Sequence, residues 1–559
     1  MTTATQILDT LRAWNVEHVF CCPGTSEIPL LDALADPRNR DRAPEFVLTT
    51  HEAISVSMAD GYARASGRIG VAYLHTNVGV ANGLAHLYAA QVGRSSVTVL
   101  AGVKGTATLP HRALTTSPRI LDTAAPYVGH AWMNLRADAL VDDVDRALWR
   151  STVVPEQPSI LTIPQDHLAA EATATAPAGV RIAADQRPSA ASVRDAAELL
   201  LTARRPVIVA GTDVARRGAG ATLAHIAELL GAPVFVESRR DLERWGFPST
   251  HPHFVGLFDP RAPVVADSDL LVLAGMPTPL EFSAEVPILP AGVPVLHLAE
   301  DPAEAGRRRG PAGALVGGTG VALTDLATAL DGAADNSSDA DTAERRAHLH
   351  RAREHHAAQR ERWRADVPAE AEGPDFSAAS AMRVLAEDLG TDGLLVLDSV
   401  TATLPLLRFL ERDRPDSLYA TASGSLGWGM GAAAGVALAR KERALAVVGD
   451  GVVQFGVPAF WTAARYRIPV TYLVVNNGRY QAVVTGMVKS GGAASANDDS
   501  PLTDISGVDI AALAASFGMS SERVSGTGGL RAALAAEHGR TAADGPHLIE
   551  VCVNRQRWP

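Results

Sequence analysis

The chain is poor in cysteine, in excess basic charge and in long apolar runs. Its 559 residues hold three cysteines, Cys21, Cys22 and Cys552. Those positions make neither a disulfide framework nor a metal-ligand spacing, so a reducing cytoplasm is the expected location. With 50 Lys and Arg against 62 Asp and Glu, the formal net charge is −12. A general nucleic-acid binder needs a basic footprint that this balance does not supply. No apolar run approaches the roughly 20 residues that span a bilayer. The polar, helix-like start after Met1 does not read as a signal peptide. Neither nucleic acid nor membrane is therefore an expected partner. The middle of the chain also lacks a GxGxxG fingerprint after a strand with an acid downstream, so bound FAD or another nucleotide is not expected there.

What is present is an ordinary globular composition, 47% hydrophobic and 20% charged. The length suits about three to four domains. Short apolar runs alternate with helix-like stretches, which predicts α/β structure with parallel sheets. We divide the chain into a first domain over 1–178, a middle Rossmann-like domain over 188–335, a linker with a charged helix over 336–375 and a last domain over 376–559. Thr173 to Gln186 reads as a linker, rich in Ala with Thr, Pro and Gly. Asp331 to Pro374 shifts sharply in composition, and its Thr342 to Asp366 part predicts a solvated surface helix.

The most informative stretch is Leu445 to Tyr480. An apolar run ends in Gly449-Asp450-Gly451, a helix-like segment follows, and a second apolar run ends in Asn476-Asn477-Gly478. Strand, helix, strand at this length is a βαβ unit, so both polar clusters fall at the carboxyl ends of parallel strands, where open α/β sheets bind ligands. Asp450 and Asn477 offer oxygen donors that suit Mg²⁺. Gly449 and Gly451 let the backbone approach a diphosphate. A bare GDG is also compatible with an ordinary βαβ turn.

Other residues are ambiguous taken singly. Thr25-Ser26-Glu27 opens a helix after Pro23-Gly24 and can be no more than a cap. Glu52 opens the helix that follows Phe46 to Thr50, among Ala53, Ile54 and Val56, and a helix N-terminal acid is favoured by the macrodipole alone. His75 ends the strand Ile69 to Leu74, ahead of a turn and a helix from Asn82. A lone histidine there is often a satisfied structural group. Lys104, in a loop over Val103 to Thr116, reads as solvated or functional. The glycines of Ser423 to Trp428 open a Gly/Ala-rich helix and suit tight packing equally well. Val483, Val484 and Met487 form either an apolar wall for a substrate tail or the inner face of a core helix.

GDG followed after residues 452–475 by NN resembles the signature of the thiamine diphosphate-dependent enzymes, and the sequence around Glu52, with its ADGYARASG continuation, is similar to theirs. The likeness is greatest to benzoylformate decarboxylase and acetolactate synthase-like members. It implies three α/β domains, thiamine diphosphate and Mg²⁺ as cofactors, and active sites shared between subunits of a dimer or tetramer. It implies Mg²⁺ on Asp450, Asn477 and the backbone carbonyl of Arg479, with Tyr480 beside them. By the same resemblance Thr401 contacts the diphosphate, and the Gly424 carbonyl accepts from the aminopyrimidine. Leu426 then supports the bend between the rings. Glu52 would hydrogen-bond the aminopyrimidine and promote loss of the thiazolium C2 proton. Burial would favour its protonated form. His75 would handle a substrate proton, with Thr25 at the substrate. Phe282 stands where the decarboxylases carry a second histidine, Val103 where the family often has glutamine, and Phe247 to Gly256 resembles a family turn. The expected reaction is non-oxidative decarboxylation of a 2-oxo acid. Carboligation is the alternative, and a catalytically silent cofactor-binding protein the third reading.

Overall fold

The apolar runs become parallel strands. Segments such as Leu270–Ala274 (LLVLA) and Pro206–Ala210 (PVIVA) are buried along their whole length. That pattern belongs to sheets covered on both faces, where no polar alternation is needed. The computed structural model describes residues 1–40, 43–172, 179, 186–281, 287–308, 310–332, 339–497 and 499–555.

Three six-stranded sheets form among the described residues. The first takes β1 (His18–Cys22), β2 (Glu45–Leu48), β3 (Gly70–His75), β4 (Val97–Val103), β5 (His130–Met133) and β6 (Ser159–Pro164), in the order β2-β1-β3-β4-β6-β5. The middle sheet takes β7 (Pro206–Ala210), β8 (Val234–Val236), β9 (Phe254–Leu257), β10 (Leu270–Ala274), β11 (Val295–Ala299) and β12 (Gly313–Val316), ordered β12-β11-β10-β7-β8-β9. The last takes β13 (Leu395–Asp398), β14 (Leu418–Ala420), β15 (Ala444–Gly449), β16 (Val470–Asn476), β17 (Ser520–Val524) and β18 (His547–Cys552), ordered β14-β13-β15-β16-β18-β17. The expected class, three α/β domains with parallel sheets, is the class the chain adopts.

The first and last domains share one apolar core. The helix Glu52–Ser66 packs on the helix Trp428–Arg440, backbone nearly against backbone. A Cβ at Gly61 would overlap the Ala432 carbonyl, and one at Gly431 would overlap Ser57. Arg64 ties the three domains together where they meet. It bonds Asp60 at 2.8 Å, the Ala420 carbonyl at 2.9 Å and Glu243 at 3.2 Å, fully enclosed.

Several local expectations need correction. Phe247 to Gly256 is not wholly a turn, because Phe254–Leu257 is an edge strand. The helix after His75 starts at Thr76, not Asn82. Asn77 and Gly79 looked like turn residues, but Gly79 is needed inside the helix, since a Cβ there would stand 2.9 Å from Glu52 Oε1. Ala493–Ala496 forms a helical turn after Gly492. The charged helix spans Asp339–Asp366 and is not solvated throughout. Arg345 is buried and donates to the Ala203 carbonyl at 2.9 Å and to Leu201 at 2.7 Å. Most of the 173–186 linker lies outside the described residues, as does 333–338.

Candidate active site

The carboxyl ends of β1, β3 and β4 bring Thr25, Glu27, His75 and Lys104 together. Pro23-Gly24 breaks β1, and a turn of 3-10 helix, Thr25–Glu27, carries Glu27 back under the sheet edge. Glu27 is fully buried. Its Oε2 accepts the Gly24 N–H at 2.7 Å and lies 2.8 Å from His75 Nδ1. Burial pushes the Glu27 carboxyl above its usual range, opposed by the Gly24 N–H and by His75. Oε1 has no partner among the described residues. Two glycines make the space: a Cβ at Gly102 would overlap Glu27, and one at Gly24 would overlap the His75 ring. From the sequence Glu27 is either a cap or a functional group. It is a cap, and it also holds His75.

Glu52 sits beside this pair. The His51 ring caps the helix by accepting from Ala53 N–H at 3.2 Å, which fixes the first turn. Glu52 Oε2 accepts from Asn82 Nδ2 at 2.9 Å. Within the chain Glu52 is half-exposed, so the expected burial is not met by this chain's own residues. Cys22 lies between Glu52 and Glu27. Burial, then Glu52, pushes its thiol up to about 12, so it stays protonated and is no nucleophile at neutral pH. Val103 is buried at the end of β4, so its difference from glutamine adds no group to this edge.

The last sheet supplies the second cluster, at the ends of β15 and β16. Asp450 is buried. Its Oδ1 accepts Gly451 N–H at 2.9 Å and its Oδ2 accepts Gly478 N–H at 2.8 Å. Burial raises its pKa, and those N–H groups oppose the rise. Asn477 Oδ1 accepts Arg479 N–H at 3.0 Å. The Tyr480 ring covers Gly451, where a Cβ would come within 2.9 Å of Cε1.

The ends of β13 and β14 form the third part. Gly424 and Leu426 line a cavity of about 410 Å³ together with Val400, Thr403, Arg239 and Arg240. Thr401 is half-buried next to Val400. Gly424 has φ +69° and Gly427 φ +87°, backbone that L side chains rarely adopt. His86 joins this turn to the first domain, with Nδ1 2.7 Å from the Ala53 carbonyl and Nε2 3.4 Å from the Leu426 carbonyl.

The apolar wall is split. Val484 is fully buried, while Val483 is 47% exposed, so only Val483 and Met487, four residues apart on the Gln481–Ser490 helix, share a face away from the core. Phe282 lies outside the described residues.

Three family models match the chain in succession. They are the thiamine pyrophosphate enzyme N-terminal TPP binding domain over 1–123, the central domain over 193–326 and the C-terminal TPP binding domain over 398–551. The chain is a thiamine diphosphate-dependent enzyme. It is 29% identical to the benzoylformate decarboxylase of Pseudomonas aeruginosa, over 97% of each chain. It is 26% identical to an acetolactate synthase of Mycobacterium avium, over 86% of this chain and 76% of that one. Among solved structures it is similar to the 4-hydroxybenzoylformate decarboxylase of Rhodococcus jostii RHA1, with a TM-score of 0.83, 26% identity and 99% of both chains covered.

The residues present fit the cofactor. Among the described residues nothing stands within 4 Å of a Cβ built on Gly424, which faces open space, and one on Gly449 would meet only an ordinary contact with Val452 at 3.9 Å. One carboxylate, one amide oxygen and one carbonyl make an oxygen donor set. Such a set suits a hard cation completed by phosphate oxygens.

Proposed function

We propose that this thiamine diphosphate-dependent enzyme is a non-oxidative decarboxylase of a 2-oxo acid that uses Mg²⁺. The observation that carries this reading is the His75–Glu27 pair, on the same sheet edge as Glu52. The likeness to proteins named as decarboxylases of benzoylformate and 4-hydroxybenzoylformate supports it.

Bound thiamine diphosphate would supply a carbon nucleophile and an electron sink for the bond to CO₂. Asp450, Asn477 and the Arg479 carbonyl would hold Mg²⁺. Gly449, Gly451, Tyr480 and Thr401 would take the diphosphate, and Gly424 and Leu426 the aminopyrimidine and the bend. Glu52 would exchange a proton with the aminopyrimidine, with Asn82 holding one of its oxygens. His75 has Nδ1 engaged by Glu27, which leaves Nε2 to give or take a proton on substrate-derived oxygen or carbon. Thr25, Val483 and Met487 would contact the substrate, as would Phe282 by the family resemblance.

The half-exposed Glu52 supports a site completed by a second copy, Glu52 of one chain serving the 449–479 anchor of the other. Large apolar groups beside the site also favour a dimer or tetramer, with Phe455 57% and Val78 53% exposed. The proposed domain division is 1–178, 188–335, 336–375 and 376–559.

The test is product analysis. The protein loaded with thiamine diphosphate and Mg²⁺ is given a panel of 2-oxo acids, with and without acceptor aldehydes, and products are identified by mass spectrometry. Aldehyde and CO₂ alone support decarboxylation. An acyloin or acetohydroxy acid transfers the assignment to carboligation. No CO₂ from any acid, with cofactor bound, sinks both and leaves a silent binding protein.

A further inference from the structure

Lys104 follows directly on β4 and so stands at the sheet edge that carries Glu27, His75 and Glu52. Its ammonium donates to the Thr25 hydroxyl at 2.9 Å. The Thr25 carbonyl in turn accepts from Gln165 Nε2 at 3.0 Å, so the threonine is held from both sides.

The neighbouring carboxylates are engaged elsewhere. Glu27 takes Gly24 and His75, Glu52 takes Asn82, and Asp166 takes both the N–H and the hydroxyl of Thr106. Among the described residues Lys104 forms no ion pair, and its side chain is half-buried. The other charged groups on its loop, Arg112 and His111, are exposed and add no negative charge. A fixed ammonium whose side-chain partner is a neutral hydroxyl favours an anion arriving from solution.

The carboxylate that leaves as CO₂ is a poor fit for that ammonium. Its charge moves away during the reaction, so a cation fixed on it would stabilise substrate more than transition state and slow the step. A second acidic group keeps its charge throughout and carries no such penalty.

We propose that Lys104, positioned by Thr25, is a specificity-determining residue that receives the second anionic group of a dianionic 2-oxo acid. The inference rests on the decarboxylase reading above and names its substrate class.

The experiment compares 2-oxoglutarate with 2-oxopentanoate, of equal chain length, on the protein loaded with thiamine diphosphate and Mg²⁺. CO₂ release is measured for the native chain, Lys104→Met and Lys104→Arg. The expected result is native preference for the diacid. Lys104→Met should lose about tenfold or more in kcat/KM for the diacid, carried by KM, the scale of one charge-assisted hydrogen bond. The monoacid should change by less than about twofold, and Lys104→Arg should restore the preference. Equal loss on both acids, or native preference for the monoacid, overturns the proposal. If the native chain releases CO₂ from neither acid, the decarboxylase reading is decided by the wider panel and Lys104 is judged by binding alone. Calorimetry then compares glutarate with pentanoate on the same proteins. Glutarate binding that weakens about tenfold in Lys104→Met supports the anion seat, and binding that is unchanged or undetectable in the native chain overturns it.

Discussion

Asp398→Asn should stabilise the protein in a strongly pH-dependent way. Asp398 ends β13 and is buried, with Oδ2 accepting the Gly429 N–H at 2.9 Å. Burial raises its pKa from 3.8 to about 7, against the pull of the Gly429 and Gly427 N–H groups. The gap spans about three pH units, each worth about 1.4 kcal/mol, so ionising Asp398 in the fold costs about 4 kcal/mol more than ionising it in the unfolded chain. The sign follows from the raised value. The stability linked to protonated Asp398 is fully present below about pH 4, declines above it, and is lost once the pH has risen through about 7. Asparagine keeps an acceptor for Gly429 and carries no charge. Its advantage over aspartate should therefore grow by about 2 to 3 kcal/mol between pH 5 and pH 8. Thermal midpoints of the two cofactor-free proteins, measured across that range, should separate by several degrees at the alkaline end and draw closer toward the acid end. A difference that does not vary with pH would refute the reasoning, as would an asparagine variant less stable than the native chain at pH 8.

Three further outcomes are expected. Glu27→Gln should lower kcat/KM by about ten- to a hundredfold through loss of the charged partner of His75, while the thermal midpoint at pH 8 does not fall, because a buried charge is removed; an unchanged kcat/KM, measured by CO₂ release, contradicts the role given to the pair. Gly451→Ala places a Cβ 2.9 Å from the Tyr480 ring, so thiamine diphosphate affinity measured by calorimetry should drop about tenfold or more, with folding retained by circular dichroism. Glu52→Gln and Asp450→Asn should each be nearly inactive, yet a refolded equal mixture should recover about a quarter of native activity if sites are shared across a two-fold interface, since half the dimers are mixed and each has one intact site; no recovery would place both residues in the site of one chain.

The proposed site was legible where chemistry is local in the chain. GDG and NN stand at the ends of β15 and β16, strands adjacent in sequence and paired in the sheet, so their spacing carries the geometry. Glu27 was not legible, because a carboxylate three residues after a Pro-Gly break has the pattern of a cap, and that is half of what it does. Lys104 stayed open because its partner Thr25 is 79 residues away. The strands Phe254–Leu257 and Ser520–Val524 escaped notice because edge positions need no continuous apolar run; the second is exposed or half-buried along its length.

By itself, the sequence determined the three parallel-sheet domains and the placing of GDG and NN at neighbouring strand ends, since both follow from apolar periodicity and from residues close along the chain. Only the tertiary structure decided how the first sheet's edge is wired. His75 with Glu27, Lys104 with Thr25 and Asn82 with Glu52 join segments from different strands and helices, and such pairs exist only once the strands take their order in the sheet. The structure also settled the two uses of glycine around the Gly/Ala-rich helix. Gly424 and Gly427 serve a left-handed turn facing open space or a neighbouring helix, and Gly431 lets two helices touch; the difference lies in φ and in what a Cβ would meet, neither of which is written in the residue type.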